Sequence, residues 1–182
     1  MSVQSPEAVA SSPRATAAVA AIRADLETNP GSALEDVAAR TGTTPAEVLA
    51  ALPEGEALCL PGSLFVEVMD EIANWGEITL VMNTGEVILE AKGELPRGSE
   101  ARGFLNLHGT SIGGHLRTDA CRTVAFVTRH LFGTPTRSVQ FYSVTGGCMF
   151  KVYLGRGPDR QLIPAQVAAF EAAAARFAER RP

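Results

Sequence analysis

The chain has 182 residues, of which 46% are hydrophobic and 20% are charged, and its formal net charge is −4. This composition supports one domain of ordinary size with a real hydrophobic core, and it excludes global disorder. The negative net charge excludes binding to nucleic acid through a broadly basic surface. No apolar run reaches the roughly 18 residues of a membrane-spanning helix. The three cysteines are odd in number and widely spaced, and the N-terminus lacks the pattern of a secretory signal. The sequence thus predicts a cytoplasmic protein with neither a nucleic-acid nor a membrane partner.

The N-terminal third is predicted to be helical after a disordered tail. Residues 1–12 are rich in Ser, Pro and Ala and form the predicted tail. Spaced aliphatic residues from Arg14 to Glu27 predict a helix that Asn29-Pro30-Gly31 ends. Two shorter helices follow, each beginning with the spacing of a capping box: Ser32 with Glu35, and Thr44 with Glu47. Residues 13–55 are therefore predicted to be a helix-turn-helix-like segment.

This segment raises the hypothesis of sequence-specific DNA binding. The second short helix, in TPAEVLAALPEGEA, has three glutamates and neither lysine nor arginine. A helix that reads the major groove needs hydrogen-bond donors for phosphates and base edges. A small helical packing element is the better interpretation.

Residues 56–182 are predicted to form an α+β domain. Apolar residues at helical spacing from Leu64 to Trp75 predict a helix that ends at Gly76. Strand-like alternation follows, with a hairpin around Asn83-Thr84-Gly85. Further strand-like segments are ARGFLNLHG, GGHLRTDACRTVAFVTR, TRSVQFYSVTGG and CMFKVYLGR. No helix-length segment separates them, so the predicted fold class is α+β: an antiparallel β-sheet core with an N-terminal helical segment and a C-terminal helix, PAQVAAFEAAAARFAERR.

The histidines are the first candidates for chemistry. His108, His115 and His130 are the only ones, and the chain has neither an HExxH motif nor paired CxxC motifs, so a zinc protease or structural zinc site is not predicted. His115 lies in GGHLRTDAC, a glycine-flanked strand. The pattern leaves two interpretations open: a metal ligand, or a histidine hydrogen-bonded at a turn or sheet edge, which is commoner for a lone histidine. His130 is assigned to a loop.

Nucleophilic catalysis has little support in the sequence. The segment GTSIGG has the wrong spacing for a nucleophile elbow. Cys121 and Cys148 lie in apolar strand-like runs, which favours inert core thiols. The segment GCMFKVYLGRGPDRQL has an apolar face with cations near it, which suits either a flat amphiphile carrying carboxylates or a sheet packed against its helices. The alternation does not decide between them.

Several segments taken in order resemble the ChuX/HutX family of intracellular haem-utilization carriers. They run from about Leu60 to Phe170 and include LPGSLFVEVMDEIANWGEITLVMNTGEVILEAKGELPRG, GFLNLHG, GGHLRTDAC, SVQFYSVTGGCMFKVYLGRGPDRQL and QVAAF. The ordered series of Trp-Gly, Gly-Glu-Leu-Pro, Asn-Leu, Gly-His, Met-Phe-Lys and Gly-Arg is specific when taken together.

The resemblance implies a fold similar to half of the larger ChuS/HemS-type haem-handling fold. It also implies a cytoplasmic homodimer that binds haem b as cargo and passes it to a haem-degrading partner. The family's Gly-His motif falls on His115, which is therefore expected to be an axial ligand of the haem iron. The alternative is a haem-degrading or haem-reducing enzyme, for which the sequence offers no acid–base pair.

Two departures from the family pattern concern the second axial ligand. A histidine found in some members lies where this chain has Met82 or Asn83, and a tyrosine of some relatives is replaced by Phe104, which cannot ligate iron. The second position is expected to be empty, filled by water, or occupied by His108, with Met82 as a weak alternative.

Three cations are expected near the haem propionates, because guanidinium and ammonium groups pair with carboxylates. They are Arg117, Lys151 and Arg156.

Overall fold

The computed structural model describes residues 13–180, in which helices flank two antiparallel sheets. The predicted tail, residues 1–12, lies outside this range. The helices are α1 (Pro13–Thr28), α2 (Leu34–Thr41), α3 (Pro45–Ala50), α4 (Phe65–Ile72) and α5 (Pro164–Ala178). The strands are β1 (Ala57–Pro61), β2 (Glu77–Asn83), β3 (Ile88–Glu94), β4 (Gly98–Ala101), β5 (Phe104–His108), β6 (Gly113–Arg117), β7 (Cys121–Leu131), β8 (Thr134–Ser143) and β9 (Cys148–Tyr153). No helix within residues 13–180 has the length and apolarity needed to cross a bilayer.

The larger sheet has six strands in the order β1-β7-β8-β9-β2-β3, and the smaller sheet has three in the order β4-β5-β6. One face of the larger sheet packs against α4, α5 and the inner face of the smaller sheet. Phe65 of α4 meets Phe141 edge-on at 5.4 Å between ring centroids, and Phe141 stacks on Phe150 at 4.5 Å. The alternation of β8 and β9 thus places the large apolar side chains in this main core.

The opposite face of the larger sheet is covered by α1, α2 and α3. Their buried aliphatic side chains share a second core with Ala125, Val127 and Tyr142 of the sheet. The helix-turn-helix-like segment is therefore a packing element against the sheet. The predicted division of the chain at residue 55 remains a prediction, since the two parts share this core.

One of the two predicted capping boxes is present. Thr44 caps α3, with Glu47 reaching back to the Thr44 backbone. The Ser32–Glu35 box is wrong, because Ala33 is the N-cap of α2 and makes no side-chain cap bond. The Glu35 carboxylate instead accepts a hydrogen bond from Lys151 Nζ at 2.6 Å, so its partner is distant in sequence.

Gln166 in the first turns of α5 joins that helix to two other segments. Its Nε2 donates to the carbonyl oxygens of Trp75 and Glu77, both at 2.8 Å. Its Oε1 accepts from the Gly155 amide at 2.6 Å. The side chain is buried, so these three backbone groups rely on it in place of water.

The predicted fold class is confirmed, with three local corrections. His130 lies in strand β7 and not in a loop, because the β7–β8 hairpin extends to Leu131 and Thr134. Helix α4 ends at Ile72, earlier than predicted, and a 3-10 turn at Gly62–Leu64 precedes it. The short strands β1 and β4 were not predicted.

Candidate functional site

The outer face of the smaller sheet carries two of the three histidines. Strand alternation points Leu105, Leu107 and Leu116 into the main core, so the residues between them point outward. We call this outward surface the histidine face, and its members are Phe104, Asn106, His108, Gly113, His115 and Arg117. The β5–β6 pairing places Asn106 opposite His115, Phe104 opposite Arg117, and His108 opposite Gly113.

His115 is exposed on this face, and one of its two ring nitrogens, Nδ1, is hydrogen-bonded. Its Nδ1 lies 2.7 Å from Oδ1 of Asn106, the cross-strand neighbour. Phe104 meets the ring edge-on, with centroids 6.5 Å apart. Within the described residues, Nε2 makes no hydrogen bond. Nε2 therefore faces outward, where a ligand from outside the protein can reach it.

His108 shares the histidine face with His115. The two axial ligands of a haem iron approach from opposite sides of the macrocycle, whereas these imidazoles project from the same side of one sheet. This arrangement does not favour His108 as the second axial ligand within one protomer. Among residues 13–180, no group of three or more His, Cys, Asp or Glu side chains is arranged to hold a metal ion.

Arg117 also lies on the histidine face, where it is paired with Asp119. Its Nε donates to Asp119 Oδ1 at 3.1 Å and its Nη2 to Oδ2 at 2.9 Å. This hydrogen bonding lowers the pKa of Asp119 and raises that of Arg117. Both side chains are exposed, so water screens the pair and an anionic ligand could take the place of Asp119.

Lys151 does not join the histidine face. It projects from the opposite face of the larger sheet, where it is buried against α2 and lies 2.6 Å from Glu35 Oε2. Burial alone would lower the pKa of Lys151, but the negative charges that Tyr153, Glu35 and Cys148 can carry raise it. The larger sheet therefore separates Lys151 from His115 and Arg117, although the sequence grouped all three.

A cavity of about 380 Å³ opens beside Lys151. Asn83, Tyr153 and Arg156 contribute polar groups to its wall, between apolar side chains such as Leu131 and Leu162. Arg156 donates to the carbonyl oxygens of Pro135 and Arg160, and it forms no ion pair within the described residues. We call this space the Lys151 cavity.

Met82 lies near the tip of the β2–β3 hairpin. It alternates with Asn83, so the two side chains project from opposite faces of the sheet and only Asn83 lines the Lys151 cavity. Met82 is exposed and lies opposite Leu89, which is also exposed, whereas Ile88 lies opposite Asn83 on the other face. The position of the family's second histidine thus lies on the larger sheet, whereas the histidine face belongs to the smaller one.

Asn106 is the residue of this site that the sequence analysis missed. The available signal was the Asn-Leu-His segment before the turn to Gly-Gly-His. It becomes informative only when the register of the β5–β6 hairpin is known.

Comparison with known proteins decides the family. Residues 58–173 match the family described as "Haem utilisation ChuX/HutX". The chain belongs to the ChuX/HutX family. The predicted resemblance is confirmed, and its predicted span, Leu60 to Phe170, lies within the matched residues.

Named members of the ChuX/HutX family are similar over most of the chain. The intracellular heme transport protein HutX of Vibrio cholerae is 34% identical over 149 residues, which cover 81% of this chain and 77% of HutX. A structure of the heme-binding protein ChuX superposes with a TM-score of 0.77 at 37% identity, covering 85% of this chain and 97% of ChuX.

The relation to a larger fold is also confirmed. The heme-degrading enzyme ChuS of Escherichia coli O157:H7 superposes with a TM-score of 0.72 at 19% identity. The match covers 90% of this chain but only 47% of ChuS. At this identity the likeness concerns the fold alone: the ChuX/HutX chain corresponds to half of the larger protein.

Proposed function

We propose that this chain binds haem b and carries it within the cytoplasm as a member of the ChuX/HutX family. HutX is named an intracellular heme transport protein and ChuX a heme-binding protein, and both are similar over most of this chain. The observation that carries the proposal is the exposed His115 imidazole, anchored at Nδ1 and open at Nε2, at the family's Gly-His motif.

In this proposal His115 is the axial ligand and its neighbours on the histidine face hold the macrocycle. Phe104, which contacts the His115 ring, offers an apolar surface to the porphyrin. Arg117 exchanges Asp119 for a propionate. The chain has no C-x-x-C-H motif for covalent attachment, so the haem is held non-covalently. The second axial position is open to water or to a group from another molecule.

We propose transport in preference to haem degradation. A closed site that excludes water protects a reactive haem intermediate from side reactions. The histidine face is an open sheet surface, and His115 on it is exposed. A haem-degrading enzyme is in this proposal the acceptor to which the chain delivers its cargo.

A homodimer is the second part of the proposal. Exposed apolar side chains lie on both faces of the β2–β3 hairpin: Met82 and Leu89, which are cross-strand partners, on one face, and Ile88, 64% exposed, on the other. Strand β3 is at the edge of the larger sheet, so its outward backbone groups have no strand partner within residues 13–180. A second copy that pairs its own β3 with this edge in an isologous contact would cover both features.

A hemin titration tests the carrier proposal. Wild-type protein should give a shifted Soret band that saturates at one hemin per chain, and His115→Ala should weaken binding or alter the band. His130→Ala is the matched control, because His130 is also exposed but lies on β7, outside the histidine face. Identical spectra for wild type and His115→Ala would exclude the ligand assignment, and absence of hemin binding by wild type would exclude the carrier.

The same complex distinguishes transport from turnover. With a reductant and catalase present, a carrier should keep its Soret band. Loss of the band with formation of a bilin would identify an enzyme and contradict the transport proposal.

Light scattering tests the dimer. Wild type should have twice the chain mass, and Leu89→Asp should halve it, because a buried carboxylate on the apolar hairpin is unfavourable. Val144→Asp, which changes an exposed valine in the β8–β9 turn, should leave the mass unchanged. A wild-type monomer at high concentration would rule out this part of the proposal.

A further inference from the structure

We infer that Asn106 is a positioning residue that fixes the neutral His115 imidazole in the tautomer with a free Nε2 lone pair. The role of Asn106 in iron binding rests on the proposed function. The tautomer itself is a property of the chain without haem, so it can be tested separately.

The orientation of the Asn106 amide is set by the backbone. Its Nδ2 donates to the carbonyl oxygen of Ser99 on β4 at 3.0 Å and to that of Phe104 at 3.3 Å. A reversed amide would place Oδ1 against both carbonyl oxygens, where no donor exists. The two carbonyls therefore direct Oδ1 toward His115.

The orientation of this amide determines which ring nitrogen carries the proton. Oδ1 can only accept a hydrogen bond, so the 2.7 Å contact requires that His115 Nδ1 be the donor. A neutral imidazole has one N–H, and Nε2 is then left with its lone pair. The edge-on contact with Phe104 further limits rotation of the ring.

Fixing this tautomer favours iron binding. A free histidine side chain in water favours the proton on Nε2, the nitrogen that this site presents outward. Asn106 reverses that preference before haem arrives, so ligation needs neither a proton shift nor a ring flip.

Nitrogen NMR of the haem-free full chain tests the tautomer. In protein labelled with ¹⁵N-histidine, at a pH above which the ring signals no longer change, His115 should show the proton on Nδ1. Asn106→Leu, of similar size but without the acceptor, should move the proton to Nε2. Asn106→Asp loses both Nδ2 hydrogen bonds, and the Ser99 and Phe104 carbonyl oxygens repel its carboxylate. The carboxylate should therefore turn to the Nδ1–H donor and retain the wild-type tautomer. His108 and His130 in the same spectra are internal controls.

The outcomes separate this inference from the proposed function. A wild-type His115 with its proton on Nε2 would overturn the inference, whether or not hemin binds. An unchanged tautomer in folded Asn106→Leu would also overturn it. If circular dichroism shows that Asn106→Leu does not fold, the nitrogen NMR spectra of wild type and Asn106→Asp still test the tautomer.

Hemin binding then measures the consequence for the ligand. Loss of such a hydrogen-bond partner typically lowers metal affinity about 10- to 100-fold, and we expect about tenfold for Asn106→Leu. Asn106→Asp should lower the Fe(III)/Fe(II) potential of the bound haem, since its negative charge next to the ligand favours Fe(III). A wild-type tautomer on Nδ1 without any hemin binding would support the inference and reject the carrier. Equal hemin affinities for wild type and Asn106→Leu would reject the role in iron binding.

Discussion

Gly113 is a glycine that the packing around it does not require. It lies on the histidine face, opposite His108. A Cβ atom built there would lie 3.5 Å from the Leu107 carbonyl oxygen and 3.6 Å from that of Gly109, which are ordinary contacts. The local packing therefore admits a side chain at position 113, and glycine leaves space above the sheet beside His115.

Gly113→Val should weaken hemin binding while leaving the fold intact. Valine suits a strand, and its methyl groups would occupy the space that we assign to the macrocycle. The expected result is a clear loss of affinity in the hemin titration, with thermal unfolding unchanged or slightly raised. Unchanged affinity in the folded variant would show that the haem does not approach this side of His115.

At the scale of elements, Gln166 connects α5 with the segment after α4 and with the end of β9. These elements are distant in sequence, and α5 meets the main core through apolar side chains such as Phe170 and Phe177. The three hydrogen bonds of the buried amide fix the position of the helix. This is a polar constraint inside an otherwise apolar interface.

Gln166→Leu should destabilise the protein by about 3 kcal/mol or more. Each buried backbone group that loses its partner costs about 1–3 kcal/mol, and the Trp75, Glu77 and Gly155 groups all lose theirs. Denaturant unfolding measures the effect, and Gln161→Leu at an exposed site is the control. Similar stabilities for both variants would show that water satisfies these groups.

The limits of sequence-based prediction are visible in individual elements. Long periodic segments such as β7, β8 and α5 were predicted because their alternation or helical spacing is strong. Strands β1 (ALCLP) and β4 (GSEA) were missed because neither has the apolar–polar alternation of a half-buried strand, and Pro61 and Gly98 at their ends are typical of turns. The local pattern also predicted the Ser32–Glu35 capping box. It is absent because the Glu35 carboxylate binds Lys151, which lies 116 residues away in the sequence.

The site was predictable only in part. His115 came from the family resemblance, since its residue pattern alone favoured a structural role. Lys151 was grouped with it by charge, and sequence spacing could not show that a whole sheet lies between them. The role of Asn106 depends on strand register, which the sequence does not fix by itself.

At the scale of the whole molecule, titratable groups are concentrated between the larger sheet and the N-terminal helices. Burial raises the pKa of Cys148 from 9.0 to about 12, and it also raises those of Tyr142 and Tyr153. The pKa of Lys151 is raised as well. All four groups hold their protons more tightly in the folded chain than in the unfolded chain.

The protein should therefore lose stability as the pH rises above about 9. A raised pKa contributes stability that is complete below the unfolded value and disappears as the pH passes through the folded value. For Cys148 this window runs from 9.0 to about 12. The free energy of unfolding should fall with pH, and Cys148→Ala should reduce the slope by about 1.4 kcal/mol per pH unit within the window. An identical slope in the variant would contradict this account.

The openness of the histidine face has a consequence for the kinetics of delivery. Haem bound to His115 on an open sheet would keep its outer side accessible, so an acceptor could engage the iron before the His115 bond breaks. Transfer would then be associative, and its rate would rise with acceptor concentration beyond the rate of spontaneous dissociation. In a closed pocket the haem would have to leave first, and the residence time on the carrier would set the pace. If the exposed His115 holds the haem as proposed, the choice of acceptor would determine when the cargo leaves.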